Sequence, residues 1–376
     1  MHFMKAIINA KIITDGKILV GYNLLFVQKI ITITKELPIW AEVIDAGGAY
    51  LSAGFVDIHI HGSGGADVMD ATPESLEIIS QTLLQTGTTS FLATTMTMSP
   101  LEIDKALLNL QHHKNSVTGA KIVGVHLEGP FINAQKHGAQ NPEYIQQPNI
   151  EIIASYLEMI KMITLAPEVE GAKAFMAYLQ KHYPKIVLSI GHSDATYMQS
   201  QQSFKEGITH ATHLFNAMNP LHHREPGIVG AVLANNSISC DVIADLIHIH
   251  PAFFNLVYTL KQEQLLLITD AMRAGCMKCG TYTLGGQKVI VKEGEARLED
   301  GTLAGSVLKF NEALKNFYNH SEIKLPELIA MVTKLPAQKL GLEIGELKED
   351  YPADLVLFDE AFKVLKVFVD GELRYS

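Results

Sequence analysis

Eight short apolar runs, at residues 55–60, 89–95, 122–127, 162–166, 186–190, 209–212, 239–244 and 265–269, alternate with segments of helical periodicity. Strands buried on both faces read as near-continuous apolar runs, and alternation with helices makes such a sheet parallel. The intervening segments 74–85, 101–112, 150–160, 172–182 and 252–260 carry the 3.6-residue pattern. In 74–85, for example, Leu76, Ile79, Leu83 and Leu84 fall along one face. Eight strand–helix units predict an α/β fold closed as a (β/α)8 TIM-like barrel. A doubly wound open sheet is the competing architecture, but it would gather its ligand groups at one switch point.

The flanks have a different texture. Residues 5–13 and 28–34 read as short strands separated by turns at Asp15-Gly16 and Gly47-Gly48, and β character returns at 354–359 and 364–369 before the Asp370-Gly371 turn. Residues 1–52 with 342–376 are therefore expected to form a small β-sandwich domain built from both termini, and 53–341 the barrel.

Five of the eight runs end on groups that bind metal or carry protons. His59 and His61 close the first, Glu128 the third, His192 the fifth, His213 the sixth and Asp270 the eighth. The carboxyl ends of barrel strands converge on one face, so residues this far apart in sequence can form one site. In a strand, i and i+2 point to the same side, which places the imidazoles of His59 and His61 together, a geometry suited to two ligands on one ion. Partly buried histidines at a strand end are the plain alternative. Glu128, in Val125-His126-Leu127-Glu128-Gly129-Pro130, is an oxygen ligand, a general base or a solvated turn residue. Asp270 can bind metal or accept a proton from activated water. Taken together, the strand-end placement favours a metallohydrolase.

Sixteen histidines are present. His2, His112, His113, His182 and His320 fall in terminal or surface stretches. His126 and His210 lie near strand ends, where barrel filling or support of a ligand competes with ligation. His222-His223-Arg224-Glu225-Pro226-Gly227 leads into a helix start over 228–233, an arrangement able to receive an anion or to be a surface turn. The stretch 301–306, with glycine at both ends of Thr302-Leu303-Ala304, permits close backbone approach to a ligand.

A net charge of −10 argues against broad electrostatic binding to nucleic acid or anionic membrane. No apolar run reaches the ~18 residues of a membrane span, and residues 1–20 lack the h-region and small-residue cleavage site of a signal peptide. Three cysteines, Cys240, Cys276 and Cys279, make no disulfide framework, and Cys276 and Cys279 read as free thiols in a loop. Cytoplasm is the expected location.

Longer strings carry a resemblance. Ala53-Gly54-Phe55-Val56-Asp57-Ile58-His59-Ile60-His61-Gly62 resembles the metal-binding opening of the amidohydrolase superfamily. Ser189-Ile190-Gly191-His192-Ser193, Ala211-Thr212-His213-Leu214-Phe215-Asn216-Ala217-Met218, the Arg224 segment and Thr269-Asp270-Ala271-Met272 are similar to its N-acetylglucosamine-6-phosphate deacetylases. The resemblance implies hydrolysis of the acetamide of a phosphorylated amino sugar. It implies a divalent metal, one or two per subunit, with Zn²⁺ first and Fe²⁺, Mn²⁺ or Co²⁺ as possibilities. Glu128, His192 and His213 are then the principal ligands, His59 and His61 a second-metal pair, and Asp270 the acid–base. Ala139, Gln140, Asn216, Ala217, His248, Leu303, Ala304 and Gly305 match substrate-binding positions. Arg224 matches a phosphate-binding arginine that reaches the neighbouring subunit's site, implying a homodimer.

One stretch departs from the family pattern. Where members carry a Lys-Gly-Thr-His-Asn type loop whose histidine assists the acetamide carbonyl, this chain has His137-Gly138-Ala139-Gln140-Asn141. An amide can donate a hydrogen bond but cannot become cationic. Other amidohydrolases, such as dihydroorotase-like enzymes or N-acyl amino acid deacylases, would be expected to bring a metal-bridging lysine. The fourth run ends instead in Ala166-Pro167-Glu168. A barrel that has lost catalysis and serves as an assembly subunit is the non-enzymatic alternative.

Overall fold

The computed structural model describes residues 4–376, so His2 lies outside the described residues. Eight parallel strands follow one another around a single sheet in chain order: β1 (Phe55–Ile60), β2 (Thr88–Thr94), β3 (Lys121–Glu128), β4 (Ile160–Leu165), β5 (Val187–Ile190), β6 (Ile208–Ala211), β7 (Ser239–Ile243) and β8 (Leu265–Ile268). Every residue of β1 and β2 is buried, as the continuous apolar runs require of strands covered on both faces. The sheet curls until its edges meet. The Asp270 N–H donates to the His59 carbonyl at 2.9 Å and the His61 N–H to the Ala271 carbonyl at 2.9 Å. An open sheet is thereby excluded, and the backbone bonds that close the barrel lie at three of the candidate site residues.

Helices cover the outside, and their starts follow local chemistry. Thr72 caps Pro73–Leu84 by accepting from the Ser75 N–H, and Ser99 with Glu102 forms a capping box on Pro100–His113. Ala172–His182 is helical over the expected range, and Ala252–Lys261 extends the expected one by a residue. Residues 150–160 are a correction. They form two 3₁₀ turns, Ile150–Ile152 and Ala154–Tyr156, separated at Ile153 (φ −124°, ψ 1°), and Ile160 already belongs to β4. The apolar spacing there comes from Ile153, Tyr156 and Leu157 tucking against the barrel, and turns satisfy it as well as a helix does.

The expected strand at 5–13 is likewise two strands. Asn9 adopts φ 55°, and the chain passes from Lys5–Ile8 in a four-stranded sheet to Lys11–Thr14 in a six-stranded one. In the six-stranded sheet, Tyr50–Ala53 pairs antiparallel with Leu355–Phe358, so three strands from the start of the chain join three from its end at this one seam. Ile7, Ile12, Leu24, Phe26, Leu51, Leu355 and Phe368 form a core of their own there. Only Gly54 separates this sheet from β1. A Cβ at Gly54 would sit 1.9 Å from the Thr89 Oγ1, so the junction admits no larger residue.

A three-stranded antiparallel sheet, Gly280–Leu284, Gln287–Lys292 and Glu295–Leu298, follows β8 and had no counterpart among the expected elements. Its hairpins turn on Gly285-Gly286 and Glu293-Gly294, all four at positive φ, as two-residue hairpin loops require.

Phe55, 1 % exposed, packs edge-on against Phe310 and at a tilt against Phe358, joining β1 to an outer helix and to the terminal sheet. Phe55→Ala is expected to cost ~3–5 kcal/mol of unfolding free energy. Urea denaturation of the metal-free protein checks this, and a loss under about 1 kcal/mol would show that the contact does not bind the two layers.

Candidate metal centre

Asp57 and His59 in β1, and His61 just past its end, alternate toward the barrel axis. Asp57 lies deepest. Its carboxylate accepts from the Thr269 hydroxyl at 2.6 Å and from the His59 N–H at 3.2 Å, tying β1 to β8 beneath the site. Burial pushes its carboxyl up to about 7 against those bonds. His192, His213 and Asp270 all adopt left-handed backbone at φ 47°, 36° and 48°, each just past the end of its strand. Non-glycine residues rarely take this conformation, and surrounding structure must hold them there. At His213 the hold is visible: its N–H donates to the buried Asp241 carboxylate.

The side chains converge on Glu128, which is 2 % exposed. Its Oε1 lies 3.0 Å from His213 Nε2, 3.1 Å from His192 Nε2 and 3.5 Å from His59 Nε2, and its Oε2 lies 3.3 Å from His61 Nε2. Asp270 Oδ1 is 3.3 Å from His61 Nε2 and 3.5 Å from His59 Nε2. The imidazoles meet nitrogen to nitrogen, His59 to His61 at 3.3 Å and His192 to His213 at 3.2 Å. Two ring nitrogens can face each other this closely if one is unprotonated, or if both point lone pairs at a cation between them. The His192 Nδ1–H donates to the Lys136 carbonyl at 2.9 Å, which leaves Nε2 free to coordinate. Two overlapping ligand groups result, His59–His61–Glu128 and Glu128–His192–His213, each with its donor atoms within 4.8 Å of one another. The donor set is that of a divalent metal centre.

Two histidines left open by the sequence are not ligands. His126 has both ring nitrogens engaged, to the Ile58 carbonyl at 3.1 Å and the Thr164 hydroxyl at 2.7 Å. His210 bonds the Ser239 hydroxyl at 2.7 Å and the Asp241 carboxylate at 2.8 Å. Both fill the barrel below the centre, and burial holds both imidazoles below their usual pKa.

The electrostatics follow from packing carboxylates against imidazoles. Burial alone would raise Glu128 and Asp270. The neighbouring His59 and His192 imidazoles outweigh it at Glu128, which stays well below the usual carboxylate range, and the His59 and His61 imidazoles take Asp270 down to about 2. Burial would lower His61, yet its bonds to Asp270 and Glu128 push it up to about 10.

A cavity of about 370 Å³ opens over the centre. His61, Glu128, His192, His213 and Asp270 line it, and so do Ala139, Gln140, Asn216, Ala217, His248, Leu303 and Gly305. His248 is oriented by its Nδ1, 2.7 Å from the Asp245 carboxylate. Ala304 turns away: it is fully buried against the inserted sheet, and its N–H donates to the Ala296 carbonyl at 2.9 Å. Arg224 is exposed and does not line its own chain's cavity, and its guanidinium lies 2.7 Å from His223 Nε2. The inserted sheet adds wall residues absent from the sequence-based set, Leu284 and Arg297, and Met96 just past β2 is another. The Gly285-Gly286 turn between alternating residues was the available signal. A larger groove of about 870 Å³ lies beside Ala53, Gln262 and Glu263, near the opposite ends of β1 and β8, and contains none of the candidate residues.

A family model described as the amidohydrolase family matches residues 50–374. An N-acetylglucosamine-6-phosphate deacetylase of Lysinibacillus sphaericus is 41% identical over 340 residues, 89% of this chain and 87% of the relative. An N-acetylgalactosamine-6-phosphate deacetylase of Escherichia coli O157:H7 is 33% identical over 99% of both chains. Among solved structures, an N-acetylglucosamine-6-phosphate deacetylase from Pasteurella multocida superposes with a TM-score of 0.94 at 32% identity, covering 99% of each chain.

With its pKa raised to about 10, His61 keeps a proton at neutral pH in the metal-free protein, and that proton must leave before Nε2 can coordinate. Affinity for divalent metal is therefore expected to rise with pH, on the order of tenfold per unit for one displaced proton. Titration calorimetry in buffers of different ionisation enthalpy should register the release, and pH-independent loading would contradict it.

Proposed function

We propose, from the premise that this chain belongs to the amidohydrolase family, that it hydrolyses the acetamide of N-acetylglucosamine 6-phosphate to glucosamine 6-phosphate and acetate. The observation that carries the reading is the position of Asp270. Its carboxylate lines the cavity beside His59 and His61 and is ionised at neutral pH. A divalent ion held by Glu128, His192 and His213, with His59 and His61 for a second, supplies Lewis acidity and makes water nucleophilic near neutral pH. We assign Zn²⁺, and Fe²⁺, Mn²⁺ or Co²⁺ suits the same donors.

Asp270 takes a proton from the attacking water as the new C–O bond forms, then delivers it to the amide nitrogen as the C–N bond breaks. An unprotonated amine anion is too poor a leaving group for the second step to proceed otherwise. The second N–H of the Gln140 amide, the one not donated to Glu128, is left for the acetamide oxygen. Asn216, Ala217, Leu303 and Gly305 hold the sugar, with Ala304 supporting that stretch from behind. The phosphate needs positive charge in a chain of net −10. We assign that role to His248 together with Arg224 of a second copy, since Arg224 is exposed and does not line its own chain's cavity, and the chain is then expected to work as a homodimer. The resemblance to the galactosamine enzyme, which covers 99% of both chains, makes the C4 epimer the natural competing substrate. No described helix is long and apolar enough to cross a membrane. We place the enzyme in the cytoplasm. We treat residues 1–52 with 342–376 as a domain distinct from the barrel at 53–341, supported by their separate core.

The direct test is acetate release from N-acetylglucosamine 6-phosphate and its C4 epimer, with metal content measured on the same preparation. Full metal and no release from either sugar would refute the reading. Asp270→Asn should retain metal and fold but lose at least about 10³-fold in kcat; near-wild-type turnover would end its proton-transfer role. Arg224→Ala should raise KM for the phosphorylated sugar at least about tenfold more than for unphosphorylated N-acetylglucosamine, and equal effects would count against phosphate binding.

A further inference from the structure

Gln140 is 3 % exposed and both ends of its amide are engaged. Its Oε1 accepts the Thr97 N–H at 2.7 Å, and its Nε2 donates to Glu128 Oε2 at 2.6 Å. Flipping the amide would face two donors at Thr97 and two acceptors at Glu128, so one orientation alone satisfies the surroundings. The backbone that carries it is equally fixed. The Gln140 N–H donates to the His137 carbonyl at 2.8 Å, His137 Nδ1 lies 3.0 Å from the Gln140 carbonyl, and the Gln287 amide reaches the Ala139 carbonyl at 2.6 Å from the inserted sheet.

This matters because of what Glu128 does with its two oxygens. The terminal torsion of a glutamate is broad, so nothing intrinsic to the side chain decides where each oxygen points. Here Oε1 faces His192, His213 and His59, while Oε2 faces His61 and Gln140. A free carboxylate could rotate both oxygens toward one ligand group. With Oε2 fixed by Gln140, the carboxylate is split between the two groups, and one lone pair of Oε2 remains on the His61 side. The clamp is a neutral amide, so it adds no positive charge where a cation must approach.

We propose that Gln140 is a positioning residue that locks the Glu128 carboxylate between the two ligand groups and thereby makes the second cation site, His59–His61–Glu128, competent. The proposal rests on the reading of the cluster as a metal centre and concerns metal binding alone.

Two variants separate the contacts. Gln140→Glu keeps an acceptor for the Thr97 N–H but sets an oxygen against Glu128 Oε2, and Gln140→Met removes both bonds without adding charge. Each is titrated with Co²⁺ against a chromophoric chelator, and the visible spectrum of the loaded protein is recorded, with no sugar present. The unaltered protein is expected to take two equivalents. In both variants the second equivalent should weaken on the order of 10–100-fold with a changed spectrum, while the first stays within a few-fold. Two equivalents bound with unaltered affinity and spectrum in the variants, or only one equivalent bound by the unaltered protein, would overturn the proposal. Should Gln140→Met fail to fold, as judged by thermal unfolding of the metal-free protein, Gln140→Glu decides alone. An unaltered protein that binds two Co²⁺ yet releases no acetate would refute the substrate assignment and leave the clamp standing.

Discussion

One buried carboxylate organises the molecule. Glu128 stands at the end of β3 with four imidazole nitrogens within 3.5 Å of its oxygens, contributed by β1 and by the turns after β5 and β6. A carboxylate this deeply buried remains ionised only because positive partners surround it, and the partners are held in place by the carboxylate. The barrel meets this demand by bringing the ends of non-adjacent strands to one axis. Backbone bonds between His59, His61 and the residues around Asp270 then close the sheet at the level of the site. Closing the barrel and assembling the centre are the same event for these residues.

Strain is concentrated where the ligands are. His192, His213 and Asp270 leave their strands through left-handed backbone, which turns each side chain inward instead of letting it continue the strand's alternation. Such conformations cost on the order of 1–3 kcal/mol each, and persist because the neighbourhood determines them. Asp241 receives the His213 N–H, and the Ser306 N–H donates to the Asp270 carbonyl. His126, His210 and a chain of hydroxyls, Thr164, Thr212 and Ser189, fill the space beneath. A polar layer inside a barrel is tolerable when every member has a partner, and it gives the ligands a rigid floor.

The barrel, its eight strands and the convergence of Glu128, His59, His61, His192, His213 and Asp270 were legible because two-face burial demands apolar runs and strand ends share a face. Less legible were features decided by contacts distant in sequence. Residues 150–160 carry a helical spacing of apolar groups, yet fold as turns because the wall of the barrel takes those side chains one by one. The inserted sheet escaped notice because its strands are short and largely exposed on one face. With it went Arg297 and Leu284, which reach the cavity only through the tertiary fold. His126 and His210 could be set aside as ligands only once their hydrogen-bond partners were known.

The sequence by itself determined the periodicities, the ligand types and their place at strand ends, since these depend on local pattern and on the fixed geometry of strands. Tertiary structure alone decided how Glu128 divides its oxygens and why the Gln140 amide has a single orientation. Those outcomes depend on side chains separated by tens of residues meeting within about 3 Å, and no local pattern encodes which atom faces which.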